Sequence, residues 1–384
     1  MNPTLRFATS DPIDWNLVSI KDLVYPIKSG KSKKNDNGDY VLYGATGIIG
    51  HTNDVYNEDS LILVARVGSI GNVSLRHGKF GVSDNVLVVK PNEKSDIGYL
   101  YHLLANKVNW KSLSNGTSQL VVSAKKVEEY KVYVANFEEQ QKIAAFFAAL
   151  DEKIKLVENK LSKTRLLFET LIEKVIDKEI TFNDVACTAV PWKRMALKEV
   201  CKKISYGINA PAGEYNGCWK YIRITDIDER THKFNQHSPV SANIDHDQKL
   251  LTKYKVQTGD VLFARTGASV GKSYHYDPID GNLVFAGFLI RCSLDLNKCN
   301  SYFVYLQTLT KRYSNWVKEN SMRSGQPGLN SEQYGNFELV LPSLGEQDKI
   351  ASFFKTFDKK ISNLSFQLDV LKKQKQAFMR EMFV

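Results

Sequence analysis

The sequence predicts a mixed α/β (α+β) protein in which two similar globular domains are separated by two long coiled-coil helices packed antiparallel, with pseudo-two-fold symmetry. Three observations carry this expectation: an internal repeat, a heptad seam closing each copy of it, and short strand-like runs in the globular parts.

The repeat is clearest between "EEQQKIAAFFAALDEKIKLVENKL", from Glu138, and "GEQDKIASFFKTFDKKISNLSFQL", from Gly345. Glu139, Gln140, Lys142, Ile143, Ala144, Phe146, Phe147, Asp151, Lys153, Ile154 and Leu161 recur identically at one constant offset. Upstream, "DWNLVSIKDL" answers "PWKRMALKEV" and "LVARVGSIGN" answers "LFARTGASVGK", while "TSQLVVSAKKVEEYKVYV" answers "SGQPGLNSEQYGNFELVL". The chain is two copies of one unit. Residues 1–136 and 181–343 are the expected globular domains, 137–180 the central helix and 344–384 the C-terminal helix.

The seams follow from spacing. Ile143, Phe147, Leu150, Ile154, Val157, Leu161, Thr164, Phe168, Leu171 and Val175 alternate steps of four and three. So do Ile350, Phe354, Phe357, Ile361, Leu364, Leu368, Leu371, Lys375, Phe378 and Met382. Each seam has one polar break, Thr164 or Lys375, and neither helix can bury its stripe alone. At about 1.5 Å per residue the seam from Ile143 to Val175 is roughly 50 Å long.

In the globular parts, "YVLYG", "SLILVAR", "NVLVVKP" and "YKVYVA" read as strands of the first copy, and "WKYIRI", "DVLFAR", "FLIRCS" and "NFELVLP" as strands of the second. "IGYLYHLLANKVNWKSL" and "SYFVYLQTLTKRYSNWVKEN" each read as one amphipathic helix.

Composition bounds the function. The 384 residues are 43% hydrophobic and 11% aromatic, enough for real cores, and carry a net charge of +10 that favours a polyanionic partner. No apolar run reaches the roughly 18 residues a membrane span requires, and the first residues lack the apolar core of a signal peptide, so a cytoplasmic protein without membrane association is expected. Cys187, Cys201, Cys218, Cys292 and Cys299 show no CxxC spacing, and His51, His77, His102, His232, His237, His246 and His275 show no repeated ligand spacing; neither a disulfide frame nor a metal is expected.

"ARTGASVGKS" (264–273) resembles a phosphate-binding loop, but only three residues separate Gly267 from Gly271, where four are required before Gly-Lys. The matching place in the first copy reads "ARVGSIGNVS", without the lysine. What recurs is Arg66 or Arg265 followed by a glycine turn, an arrangement suited to presenting a planar guanidinium and backbone N–H groups to a ligand. No catalytic constellation holds in both copies, nor is a methyltransferase signature present; no catalytic residue and no cofactor are expected.

In this order, twice, with a heptad helix after each copy, these words resemble the specificity subunit of type I restriction-modification systems over essentially the whole chain. The resemblance implies two target recognition domains, each reading half of a split sequence in double-stranded DNA. It also implies helices that act as spacer and as docking platform for two methyltransferase (modification) subunits, with restriction (endonuclease/translocase) subunits as further partners. One departure is that "LVLPSLGEQ" in the second copy is "VYVANFEEQ" in the first, which leaves the start of the central helix open.

Base readout needs forked donors, and phosphate contacts need mobile cations and small polar loop residues. Candidate DNA contacts in the first copy are Lys28, Lys31, Lys33, Lys34, Arg66, Ser69, Thr117, Ser118 and Gln119. In the second they are Tyr206, Asn209, Arg265, Ser269, Lys272, Arg323, Ser324 and Gln326. The competing expectation is a non-catalytic coiled-coil scaffold or regulator that binds another protein.

Overall fold

The computed structural model describes residues 2–8, 14–115, 120–182, 191–244, 248–322 and 325–384. The chain packs as two compact units, Met1–Lys160 with Leu364–Val384, and Leu161–Asn363.

In the first unit six strands form one sheet, in the order Lys28–Ser29, Val86–Val89, Tyr56–Ala65, Val73–Val82, Tyr40–Gly44 and Gly47–Thr52. All neighbours are antiparallel except Tyr40–Gly44 beside Val73–Val82. The run "LILV" is apolar without alternation because the central strand is covered on both faces. Ile62 and Val64 pack with Leu87, Val89, Leu103 and Phe147, whereas Leu61 and Leu63 pack with Phe80, Val82 and Val88 on the other side. A ribbon of Asn16–Ser19 against Lys131–Val134 closes the unit.

The second unit repeats the central strand order in shorter form: Cys201–Tyr206, Leu289–Leu294, Asp260–Ala264 and Ser273–His275, all antiparallel. Leu262 and Ala264 face a cluster with Tyr274, Phe285 and Leu289, while Phe263 stacks on Tyr334 with ring centroids 4.9 Å apart. Lys193–Ala196 pairs with Glu338–Leu341 as the equivalent ribbon.

The two expected amphipathic helices are each broken in two. The first divides into Ile97–Lys107 and Trp110–Leu113, the second into Ser301–Gln307 and Lys311–Ser321. Side-chain caps account for the breaks. Asn109 accepts from the Ser112 amide and Thr310 from the Tyr313 amide, so each restarts a helix after an interruption that apolar periodicity alone does not register.

The long helices are Phe137–Ile176 and Leu344–Glu381. Within the first unit Phe146 meets Phe378 (5.1 Å between rings), Asp151 pairs with Lys375, and Glu158 lies 2.6 Å from Lys372. Numbers rise along one helix as they fall along the other, so the packing is antiparallel. In the second unit Phe168 sits 5.5 Å from Phe354 and 6.3 Å from Phe357. The polar break at Lys375 is matched by Asp151, which keeps the partly buried ammonium paired.

The recurring glutamines clamp each helix to its unit. Gln140 Oε1 accepts from the Asp96 amide (3.0 Å) while its Nε2 donates to the Ala135 carbonyl (3.0 Å). Gln347 repeats both bonds with Asn300 (2.9 Å) and Pro342 (3.0 Å). Asp96 and Asn300 are themselves helix caps, so one glutamine joins the start of the long helix to the start of the globular one.

Candidate nucleic-acid interface

Each glycine turn leaves the end of an apolar strand, and the two share one backbone frame. Ala65 and Ala264 amides donate to the Asn72 and Lys272 carbonyls (3.0 and 2.8 Å), and the Gly71 and Gly271 amides return to Ala65 and Ala264 (both 3.0 Å). The carbonyls of Arg66 and Arg265 accept from Val122 and Leu329 (both 2.9 Å). Their amides donate to Asn85 and Phe288 (3.1 and 3.0 Å).

Glycine is required by conformation and by space. Gly68 and Gly267 lie at φ +70° and +74°, where a side chain is strained. A Cβ on Gly71 would come within 2.4 Å of Trp110, and one on Gly271 within 2.7 Å of Val317.

The Arg265 guanidinium lies 4.8 Å above the Tyr206 ring, and its Nη1 reaches the Gly287 carbonyl only at 3.5 Å. Among the described residues no carboxylate forms an ion pair with it, so a planar, oriented fork is left with most of its donors uncommitted. Arg66 Nε is buried without a hydrogen-bond partner among the described residues, an arrangement that costs free energy unless a ligand completes it. Asn209 and Gln326 border the Arg265 turn: Asn209 Oδ1 occupies the space a Cβ on Gly287 would need, and Gln326 lies against Gly267.

In the first unit Gly68, Ser69, Gly71 and Asn72 line a cleft of about 690 Å³ with Lys111, Ser114 and Leu120. Sequence reasoning does not single out Lys111 or Ser114. The available signal is the Lys111 charge at the end of the amphipathic run, in the short helix Trp110–Leu113.

Lys28, Lys31, Lys33 and Lys34 are exposed along the edge strand Lys28–Ser29 and the segment after it, with Lys34 3.1 Å from Asp36. Ser69 is exposed and Ser269 half-buried, and their carbonyls accept from Asn72 and Lys272 amides in the turns. Lys272 departs from expectation. It is 7% exposed, donates to the Ile227 carbonyl at 3.1 Å and pairs with Glu229, so its charge is spent inside the unit rather than offered to a phosphate. The segment after it is the strand Ser273–His275 and not the helix a phosphate-binding loop would lead into. Thr117, Ser118, Gln119, Arg323 and Ser324 lie outside the described residues. Among the described residues no group of three His, Cys, Asp or Glu side chains could hold a metal ion, and no helix is long and apolar enough to cross a membrane.

The family model of the type I restriction modification DNA specificity domain matches twice, over residues 12–164 and 189–373. The chain belongs to this specificity-subunit family. Each match begins near the start of one globular part and runs into the long helix that follows, as the internal repeat requires.

Among relatives of this family member, the type I restriction enzyme MjaVIII specificity subunit of Methanocaldococcus jannaschii is 22% identical, covering 96% of this chain and 92% of its own length. The EcoDI specificity subunit of Escherichia coli is 20% identical over 92% of this chain and 84% of its own. A putative MjaX specificity subunit of M. jannaschii is 25% identical over 211 residues, 54% of this chain; the chain spans about half (49%) of that relative's length. The fold of the specificity subunit is that of the type I restriction-modification S subunit from M. genitalium, with a TM-score of 0.72 at 17% identity over 100% of this chain and 99% of that one. A chain solved in work on complex assembly and conformational transition of the type I R-M system gives 0.52 at 17% identity, covering 98% and 99%.

Proposed function

We propose that the chain is the sequence-reading, non-catalytic subunit of a type I restriction-modification complex, binding a bipartite target in double-stranded DNA and directing adenine methylation or cleavage by its partners. The observation that carries this reading is the pair of arginine turns, one per copy, built on the same backbone bonds and each ending in a guanidinium with uncommitted donors. Arginine in forked geometry suits guanine O6 and N7, and the lysines after the Lys28 edge strand supply phosphate contacts.

In this reading residues 1–136 and 181–343 are target recognition domains, and 137–180 and 344–384 are the helices that separate them and receive two modification subunits. Exposed Leu156, Leu166 and Phe366 on those helices are apolar surface of the kind a protein partner covers, which supports the docking role. The contacts proposed are Lys28, Lys31, Lys33, Lys34, Arg66, Ser69, Tyr206, Asn209, Arg265, Ser269 and Gln326, with Thr117, Ser118, Gln119, Arg323 and Ser324 proposed from the sequence alone. Lys272 is not among them, because its amine is held by the Ile227 carbonyl and Glu229.

Mapping N6-methyladenine across the genome with and without the gene tests the reading. Loss of one split motif supports it, whereas an unchanged methylome, or binding with neither sequence preference nor steep salt dependence, supports a protein-binding scaffold instead.

A further inference from the structure

The equivalence of the two turns extends one residue beyond the arginines. In the first unit Val86 donates to the Ser83 carbonyl (3.2 Å) and Gly30 to Val86 (2.9 Å); in the second, Leu289 donates to Ala286 (2.8 Å) and Gly207 to Leu289 (3.2 Å). The strand registers agree, with Ala65 opposite Val86 and Ala264 opposite Leu289. Together with the bonds from the Arg66 and Arg265 amides, these place Asn85 and Phe288 at the same point of the same loop.

At that point the side chains point outward. Asn85 is exposed between the exposed Asp84 and the buried Val86. Phe288 is 62% exposed although Ala286 and Leu289 beside it are 5% and 0% exposed. An isolated apolar residue on a surface needs no explanation in general, but this one is rigidly held. Its carbonyl is bonded to Arg265. The preceding Gly287 donates to Ile208 (2.8 Å) and leaves no room for a Cβ beside Asn209. Two copies thus share a frame and an arginine, and differ in the side chain presented next to that arginine.

We propose that Asn85 and Phe288 are specificity-determining residues that read the base pair adjacent to the one read by the turn arginine, Asn85 through the hydrogen-bonding edge of adenine and Phe288 through the 5-methyl group of thymine. The chemistry follows from the side chains: an amide matches adenine N6 and N7 bidentately, and an aromatic face has only apolar contact to give, for which the thymine methyl is the one apolar group in the major groove. A shared loop with unlike tips lets one fold read two unlike half-sites. The inference rests on the DNA-reading function proposed above.

The test uses the full-length chain and duplexes carrying the split motif mapped by methylation, with each thymine of the motif replaced singly by deoxyuridine, which lacks only the methyl. One such replacement is expected to weaken wild-type binding about fourfold, the effect of one methyl group lost from contact. Phe288→Ala is expected to bind the parent duplex about fourfold more weakly and to be insensitive to that same replacement. Asn85→Ala is expected to relax the preference for one adenine in the other half-site by about tenfold, with the salt dependence of both variants unchanged. Both residues are exposed, so thermal unfolding of the variants should match wild type. If wild type shows no sequence preference, the functional reading fails. If wild type keeps its preference and Phe288→Ala still senses every uracil as wild type does, the function stands and the assignment of Phe288 is overturned.

Discussion

Replacing Arg265 by alanine separates a base-reading arginine from a structural one, because its internal interactions are few. The guanidinium is 4.8 Å from the Tyr206 ring centroid, and its hydrogen bond to Gly287 is at the 3.5 Å limit. A partly exposed cation over an aromatic ring contributes about 0.5–1 kcal/mol, so Arg265→Ala should lower folding stability by no more than about 1 kcal/mol. A bidentate base contact contributes about 1–3 kcal/mol of discrimination, so affinity for the cognate duplex should fall roughly 5- to 150-fold. The loss should shrink on duplexes already altered at the base pair that Arg265 reads, and Arg265→Lys should not restore it, since lysine cannot present a planar fork. Fluorescence anisotropy on cognate and singly substituted duplexes at several salt concentrations measures all of this. An equal loss on every duplex, with the salt slope reduced by about one phosphate contact, would identify a backbone contact and refute the base-reading argument. Unchanged binding would refute any role in recognition.

Two further predictions concern the scaffold. Phe147 is 0% exposed in the seam, so Phe147→Ala should cost about 3–5 kcal/mol in urea unfolding. Lys375→Met, which removes a partly exposed pair with Asp151, should cost less than about 1 kcal/mol; the reverse ranking would mean the seam is held by charge. Burial among aromatic rings, and secondarily the charge of Lys375, hold the His102 pKa down to about 3, and burial holds that of His275 down to about 4. The unfolded chain therefore binds protons at these histidines from about pH 6.5 downward while the folded chain does not, and their contribution to stability falls as pH drops from about 6.5 to about 4 for His275 and about 3 for His102. In His102→Gln the urea midpoint should depend less on pH over that window than in wild type, and an identical dependence would show that His102 does not titrate as described.

The long helices and several strands were legible because they rest on local pattern, steps of three and four in the seams and runs such as "SLILVAR" bounded by glycine turns, whereas the order in which the strands pair was not. The recurrence of Arg66 as Arg265 located both turns for the same reason. What stayed hidden depends on residues distant in sequence. Nothing near Tyr206 announces that its ring lies under Arg265, nor does anything near Lys272 announce that Glu229 and the Ile227 carbonyl hold its amine. The helix breaks at Asn109 and Thr310 were missed because apolar spacing continues across them while the caps act through single side-chain bonds. The division at residues 136, 180 and 343 follows the chain, whereas packing gathers one half of each long helix into each compact unit, since antiparallel pairing sets the end of one beside the start of the other.

The central claim is that two separate copies read two separate half-sites. It is tested most directly by exchanging residues 1–136 for the corresponding part of another family member and sequencing N6-methyladenine sites in cells carrying the hybrid. One half of the methylated motif should change while the other half stays as it was. A hybrid that folds, supports methylation, and alters both halves or neither would contradict the account.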